Sequence, residues 1–311
     1  MKKFISLRNP SLFLFSLCFS LSINSALAAP LYIMGDPVFQ LGAEALSLGG
    51  AALTTKSTHD NLLLNPAAGA FSKEYAIDAT FSTALRTLSA SVFDTKSSEY
   101  GGGIYYIRKE VESGDLDKPL MSGSLEHKYQ SFGVSLFGKL VEQFAVGITG
   151  RYSMRDGTGT ANKDDKSFNG DVGAVYRLND EFSIGALYKN LLGDKKNLEA
   201  RSISGGAHYK VIPEFTISGV VEKYSATTGD AEIDIPEDGN LVWSLGGEYK
   251  HASGVALRAG YRDAAAWKHQ LAFGGVSYEK DMVRVAYAFG TVVGGDGKKF
   301  TLHTFGLGAS F

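Results

Sequence analysis

Eight charged side chains fall in one phase of alternating stretches, on the same side as Ser, Thr and Gly. They are Arg151, Lys189, Lys210, Glu222, Glu248, Arg258, Arg262 and Arg284. Inside a closed wall such charges either line a conduit and select by charge, or are solvated and ion-paired and hold another part of the chain in place. Other chemistry is sparse. The six histidines, His59, His127, His208, His251, His269 and His303, are scattered, and none has a second His at ligand spacing, so no zinc or other metal site is expected. No local Ser-His-Asn or Asp-His cluster stands out, so the chain is not expected to be an enzyme. The loop acids Glu110, Glu112, Asp115, Asp117, Asp164 and Asp165 would bind calcium, bridge to lipopolysaccharide or simply be solvated. No G-x-x-x-x-G-K-[ST] phosphate loop occurs, and no cofactor is expected.

The first residues read as an export signal. Lys2, Lys3 and Arg8 precede an apolar run from Leu12 to about Ile23, and Ala26-Leu27-Ala28 offers a cleavage site. That order describes a secretory signal peptide over residues 1–28. The run is shorter than the roughly 20 residues a membrane-spanning helix needs. Cys18, the sole cysteine, lies within it, so disulfides and thiol catalysis leave with it. Cleavage after Ala28 lowers the 31 basic residues to 28 against 33 acidic ones, a net of −5. Nothing there calls for a nucleic-acid partner.

The elements that carry the charges are strands. From about residue 75 the chain alternates with period 2. Phe144, Val146, Ile148 and Tyr152 interleave with Ala145, Gly147, Thr149 and Arg151, and Leu241, Trp243, Leu245, Gly247 and Tyr249 form a similar row. Successive side chains of a strand point to opposite sides, so each strand has one apolar and one polar face. Three features set a membrane barrel apart from a soluble sandwich. Aromatics such as Tyr152, Tyr176, Tyr209 and Tyr249 close the apolar rows, as interfacial girdles do. Short connections alternate with long ones. The chain ends on an alternating stretch with a terminal Phe311. The expectation is an all-β protein: a transmembrane antiparallel β-barrel of about fourteen strands over residues 74–311, embedded in outer-membrane lipid.

Residues 29–73 do not alternate and are expected to form a plug inside the barrel, or a periplasmic linker. Pro66 disfavours a helical conformation at Asn65, so a helix should end or turn there. Leu48-Gly49-Gly50-Ala51, then Asp60-Asn61, then Asn65-Pro66-Ala67 resemble the start of the FadL-like outer-membrane superfamily, which includes long-chain fatty-acid and hydrocarbon transporters and PorV-like barrels. The resemblance covers about residues 40–70. It implies a plugged barrel, and in the transporters a hydrophobic ligand that leaves sideways at a kinked strand. Gly101-Gly102-Gly103 lies in the third strand. Such a run favours a bulge or kink, or only lightens a strand that faces the plug. The ligand-binding and gating candidates are therefore Asn65, Pro66, Gly101, Gly102 and Gly103. Three functions stay open: passive transport of a small hydrophobic molecule such as a fatty acid, docking of a secretion-system or surface protein, and a general pore or structural role.

Overall fold

A computed structural model of the chain describes residues 36–55, 58–83, 86–111, 127–157, 165–192, 201–225, 241–267, 269–295 and 301–311. The expected export signal over residues 1–28, most of the long loops and the acids Glu112, Asp115, Asp117 and Asp164 lie outside them. Fourteen antiparallel strands close into a barrel: β1 Tyr75–Ser82, β2 Thr87–Asp94, β3 Tyr100–Val111, β4 His127–Val141, β5 Phe144–Gly157, β6 Asp165–Arg177, β7 Phe182–Lys189, β8 Ser202–Ile212, β9 Phe215–Tyr224, β10 Leu241–Lys250, β11 Val255–Ala264, β12 His269–Lys280, β13 Val283–Gly295 and β14 Thr301–Ser310. Each strand pairs with its sequence neighbours, and β1 closes on β14 from Ala76↔Ser310 to Ser82↔Thr304. Closure leaves no edge, which the hydrocarbon phase demands because unpaired backbone N–H and C=O groups find no water there.

The alternation read from the sequence becomes inside against outside. On β4, Leu136 is 58% exposed and its neighbour Ser135 is fully buried. Outward positions such as Ile77, Phe132, Ile148 and Leu257 form the apolar belt, with Tyr152, Tyr176, Tyr209 and Tyr249 among its exposed aromatics. Many inward positions are polar or small, and several hydrogen-bond to one another, as between Ser135 and Thr149 (2.7 Å) and between Ser131 and Ser153 (3.1 Å). His303 faces outward on β14, and its Nδ1 lies 2.7 Å from the Tyr287 hydroxyl.

Inside the barrel sit a 3-10 turn at Pro37–Gln40 and three short helices, α1 Ala43–Ser47, α2 Thr58–Leu64 and α3 Pro66–Gly69. Leu46, Leu62, Ala45 and Val38 are almost wholly buried. They form one apolar cluster with inward wall residues Phe93, Tyr105, Phe137 and Phe273. This is the molecule's core. A barrel of this width cannot fill its lumen with wall side chains alone, so the N-terminal segment supplies the filling. Among the described residues no helix is long and apolar enough to cross a membrane.

Candidate functional site

The plug keeps its shape through backbone chemistry the sequence made visible. At the end of α1, the Gly50 N–H donates to Ala45 O (2.9 Å) and the Gly49 N–H to Leu46 O (2.8 Å), a Schellman ending. It needs left-handed backbone, and Gly49 and Gly50 stand at φ +68° and +83°. The other end of α1 is held by Asp60, whose carboxylate accepts from the Gly42 N–H (2.6 Å) and the Ala45 N–H (3.1 Å). A carboxylate at a helix N-terminus satisfies free donors and opposes the local positive dipole. The His59 ring bridges inward hydroxyls of β2, with Nδ1 2.8 Å from Ser91 and Nε2 3.1 Å from Ser89.

Charge then fixes the plug to the wall. Asp36 caps the first turn by accepting from the Val38 N–H. Its two oxygens also receive a bidentate pair from Arg262 of β11 (Nε 3.0 Å, Nη2 2.8 Å). Arg262 donates in addition to Glu222 (3.0 Å) and Ser244 (3.1 Å), and His269 Nε2 lies 3.1 Å from Asp36. Burial pushes the Asp36 carboxyl up, but the Arg262 guanidinium, aided by His269, outweighs it and holds the carboxyl well below the usual range. Glu44 on α1 forms the second link, to Arg258 at 2.9 Å and Arg284 at 3.3 Å. Arg258 also meets Glu248 at 2.6 Å, and Arg284 meets Asp78. Burial likewise raises Glu44, and the facing Arg258, Arg284 and Lys250 bring it below its ordinary value.

All eight charges singled out from the sequence face the lumen. Arg258, Arg262, Arg284, Glu222 and Glu248 gather in the two networks that grip the plug. Arg151 lies apart on β5, paired with Asp171 (3.1 Å) and Asn190, and Lys189 is buried on β7. Within these networks the charges act as ion-paired supports of the plug. Sequence reasoning missed their acidic partners Asp36, Glu44, Asp78 and Asp171. An Asp directly before a proline, Asp36-Pro37, is a capping signal and would have marked the first.

Asn65 and Pro66 sit at the sharpest turn of the plug. Helix α2 ends at Leu64, and Asn65 in extended conformation caps α3, its side-chain oxygen accepting from the Ala67 N–H at 3.2 Å. The same carboxamide donates to Ala174 O of β6 (3.2 Å) and Ala186 O of β7 (3.4 Å). It lies so close to the Gly173 Cα that a Cβ there would collide with it. Replacing Asn65 with Ala removes a cap worth about 0.5–2 kcal/mol and both wall bonds. The expected result is exchange of the Ala67 amide faster by about one order of magnitude or more, read by hydrogen–deuterium exchange, with Arg258 and Arg262 contacts unchanged.

Gly101–Gly103 behave differently from the kink a glycine run favours. The register of β3 runs without a shift against β2, through Phe93↔Gly103, and against β4, through Gly101↔Phe137 and Gly103↔Ser135. The wall is closed there. The glycines make room instead: a Cβ on Gly101 would strike the Phe137 ring and Thr95, and one on Gly103 would lie 2.7 Å from Leu62 of α2. Phe137 stacks on Phe93 at 5.3 Å, and that wide aromatic pair needs the space beside Gly101. Asn65 and the glycine run thus hold two sides of the plug rather than one shared pocket.

At the end of the barrel carrying the short turns lies a polar vestibule of about 500 Å³, lined by Glu44, Leu48, Arg177, His208, Lys210 and Glu248 among others. The Arg177 guanidinium lies 3.9 Å from the ring centre of Phe71, a cation–π contact where the plug chain leaves for β1. Among the described residues no three His, Cys, Asp or Glu side chains converge as a metal site requires.

No protein-family model matches the chain, and no curated protein matches it in sequence. Solved structures do. The monoaromatic hydrocarbon channel CymD superposes with a TM-score of 0.65 at 12% identity, covering 93% of this chain and 99% of that one. The Ralstonia pickettii toluene transporter TbuX gives 0.65 at 11%, covering 88% and 98%. The Pseudomonas putida toluene transporter TodX gives 0.64 at 14%, covering 92% and 99%. Coverage of 93% exceeds what the strands from residue 75 onward supply, so that match takes in part of the N-terminal segment. The chain is a plugged fourteen-stranded barrel of the FadL-like fold, the fold of outer-membrane proteins of the Gram-negative type.

Proposed function

We propose that residues 1–28 export the chain and are removed after Ala28, and that the mature barrel passes a small hydrophobic molecule, such as a fatty acid, across the outer membrane without energy input. The observation that carries this reading is the barrel fold, part of its N-terminal segment included, shared along nearly the full length with hydrocarbon channels and toluene transporters. The plug is held by hydrogen bonds, ion pairs and packing only, so its seating is an equilibrium that a ligand binding the unseated form can shift. Asn65 and Pro66, where the plug turns and touches β6 and β7, act as its gate. Gly101, Gly102 and Gly103 keep the wall beside α2 free of side chains, so that Leu62 and Phe137 can repack when the plug moves.

The test is uptake by vesicles reconstituted with the purified protein. Radiolabelled oleate and toluene should enter faster than in protein-free vesicles, and faster still with Asn65→Ala. Uptake at the protein-free rate for both compounds and for the variant sinks the transport reading. A second reading has its own support: the unbroken β3 register and the polar, ion-paired lumen suit a barrel that stays shut and docks a secretion or surface protein through its outer loops. Failure of uptake together with stable co-purification of one such partner would favour it.

A further inference from the structure

The outward face of β8–β11 departs from the rest of the apolar belt. Gly205, Gly219 and Gly247 point to the lipid side there, with Ala207 paired to Gly219 and Ala259 paired to Gly247. Ala207, Gly219, Gly247 and Ala259 floor a groove of about 730 Å³, within the range of small-molecule sites of about 300–1,000 Å³, and Gly205 lies next to it on β8. Phe182 and Tyr209 bound it toward the short turns. Tyr261, against which Trp243 packs at 5.2 Å, bounds it toward the long loops. No charged side chain lines it.

These glycines are not explained by anything inside the protein. None has positive φ. A Cβ on Gly205 would meet nothing within 4 Å, one on Gly247 would make ordinary contacts with the Phe215 ring at 3.6 Å and Thr216 O at 3.8 Å, and one on Gly219 would meet the movable end of Leu245 at 3.3 Å and Ser244 O at 3.8 Å. Some outward glycines elsewhere are covered closely, Gly138 by Tyr100 and Gly274 by Phe289, and the open pair Gly150 and Gly170 is not flanked by further small residues as Gly219 and Gly247 are by Ala207 and Ala259. Glycine in a strand costs stability and often marks a place where something approaches the backbone closely. Here that approach can come only from outside.

We infer that this groove is a binding site for an acyl chain of a membrane lipid. It is continuous with the lipid-facing belt, lies between the aromatics that bound the belt, and presents only carbon and paired backbone. A hollow left empty in hydrocarbon forfeits dispersion contacts, and a flexible chain can follow its floor. A second copy of the barrel fits less well: a two-fold contact sets one hollow against the other and leaves the void unfilled. This assignment stands whether or not the barrel transports anything.

The experiment uses the full mature barrel in phospholipid vesicles containing a phosphatidylcholine with a diazirine on its acyl chain. After irradiation, adducts are mapped by peptide mass spectrometry. Adducts on the peptides carrying Ala207, Gly219 and Gly247 should exceed severalfold those on the equally exposed, glycine-free face of Ile77, Phe81 and Leu307. In Ala207→Leu/Gly247→Leu, whose new side chains enter the groove, they should fall to the level of that face while heat-modifiable mobility on gels is retained. Even labelling around the wild-type barrel overturns the inference, and that result stands if the double variant does not fold. Unchanged labelling in a folded variant also overturns it. Barrel-to-barrel cross-links through the groove would make a second copy the occupant.

Discussion

Arg262→Met unseats the plug. The substitution keeps the volume and removes five hydrogen-bond donors, leaving Asp36 and Glu222 as buried carboxylates, with His269 the remaining basic group at Asp36. Removing one partner of a buried pair costs about 3–5 kcal/mol. At about 1.4 kcal/mol per factor of ten, the unseated population rises by about two to three and a half orders of magnitude. Ala45, 1% exposed on α1, can report this as Ala45→Cys in a chain that starts at Ala29 and so omits Cys18, the one native cysteine. Thiol labelling should accelerate accordingly. Adding Asp36→Asn should recover part of the loss, because it removes one of the stranded charges. Equal labelling in parent and Arg262→Met would show that the ion pairs do not hold the plug.

Acid gives the same network a sign. The folded Asp36 and Glu44 carboxyls lie below their ordinary values. Their contribution is therefore complete above the unfolded value of about 4 and is lost as pH falls through the folded value. Relative to an unfolded control at the same pH, which corrects for the falling thiolate fraction, labelling should stay flat from pH 7 to about 5 and rise below about 4. In Arg262→Met only His269 is left to offset the burial of Asp36, so the acid dependence should weaken.

Gly260→Ala should have the next largest effect, through shape alone. Gly260 pairs with Gly246 across β10 and β11. The plug backbone at Leu48 and Gly49 lies directly against Gly260, and Leu48 O would be 2.8 Å from a Cβ on Gly246. Backbone cannot rotate out of the way as a side chain can, so one methyl group must push the plug inward or bend the wall. Overpacking of this kind costs about 1–3 kcal/mol. Gly247→Ala, next to Gly246 but on the lipid side, should stay within about 0.5 kcal/mol. The same probe at position 45 reads both. Labelling of Gly260→Ala as slow as that of Gly247→Ala would show that the close approach of plug and wall has no energetic weight.

Both predictions rest on contacts of unequal visibility in the sequence. The parity that puts Arg262 inside and Leu257 outside follows from period 2 along a single strand. The fourteen strands, the alternating turns and the plug's turn at Asn65-Pro66 followed from equally local signals, because strand pleat, proline geometry and helix endings act over a few residues. Gly101–Gly103 mark the limit of that reasoning. A glycine run permits a kink but does not impose one. The hydrogen bonds of β3 to β2 and β4, and the bulk of Phe137 and Leu62 beside it, keep the strand regular.

By itself the sequence determined an exported-type N-terminus, a barrel with an apolar exterior, a polar interior carrying eight charges, and a small-residue segment suited to filling it. Only the tertiary structure decided what those charges do. Asp36 and Arg262 are 226 positions apart, and nothing local to either names the other. Their meeting follows from where the plug docks against the closed wall, and that depends on the packing of every inward side chain at once. The lipid-side glycines have the same origin. Only closure of the barrel separates those pressed by the plug, Gly246 and Gly260, from those left open to the membrane, Gly205 and Gly247.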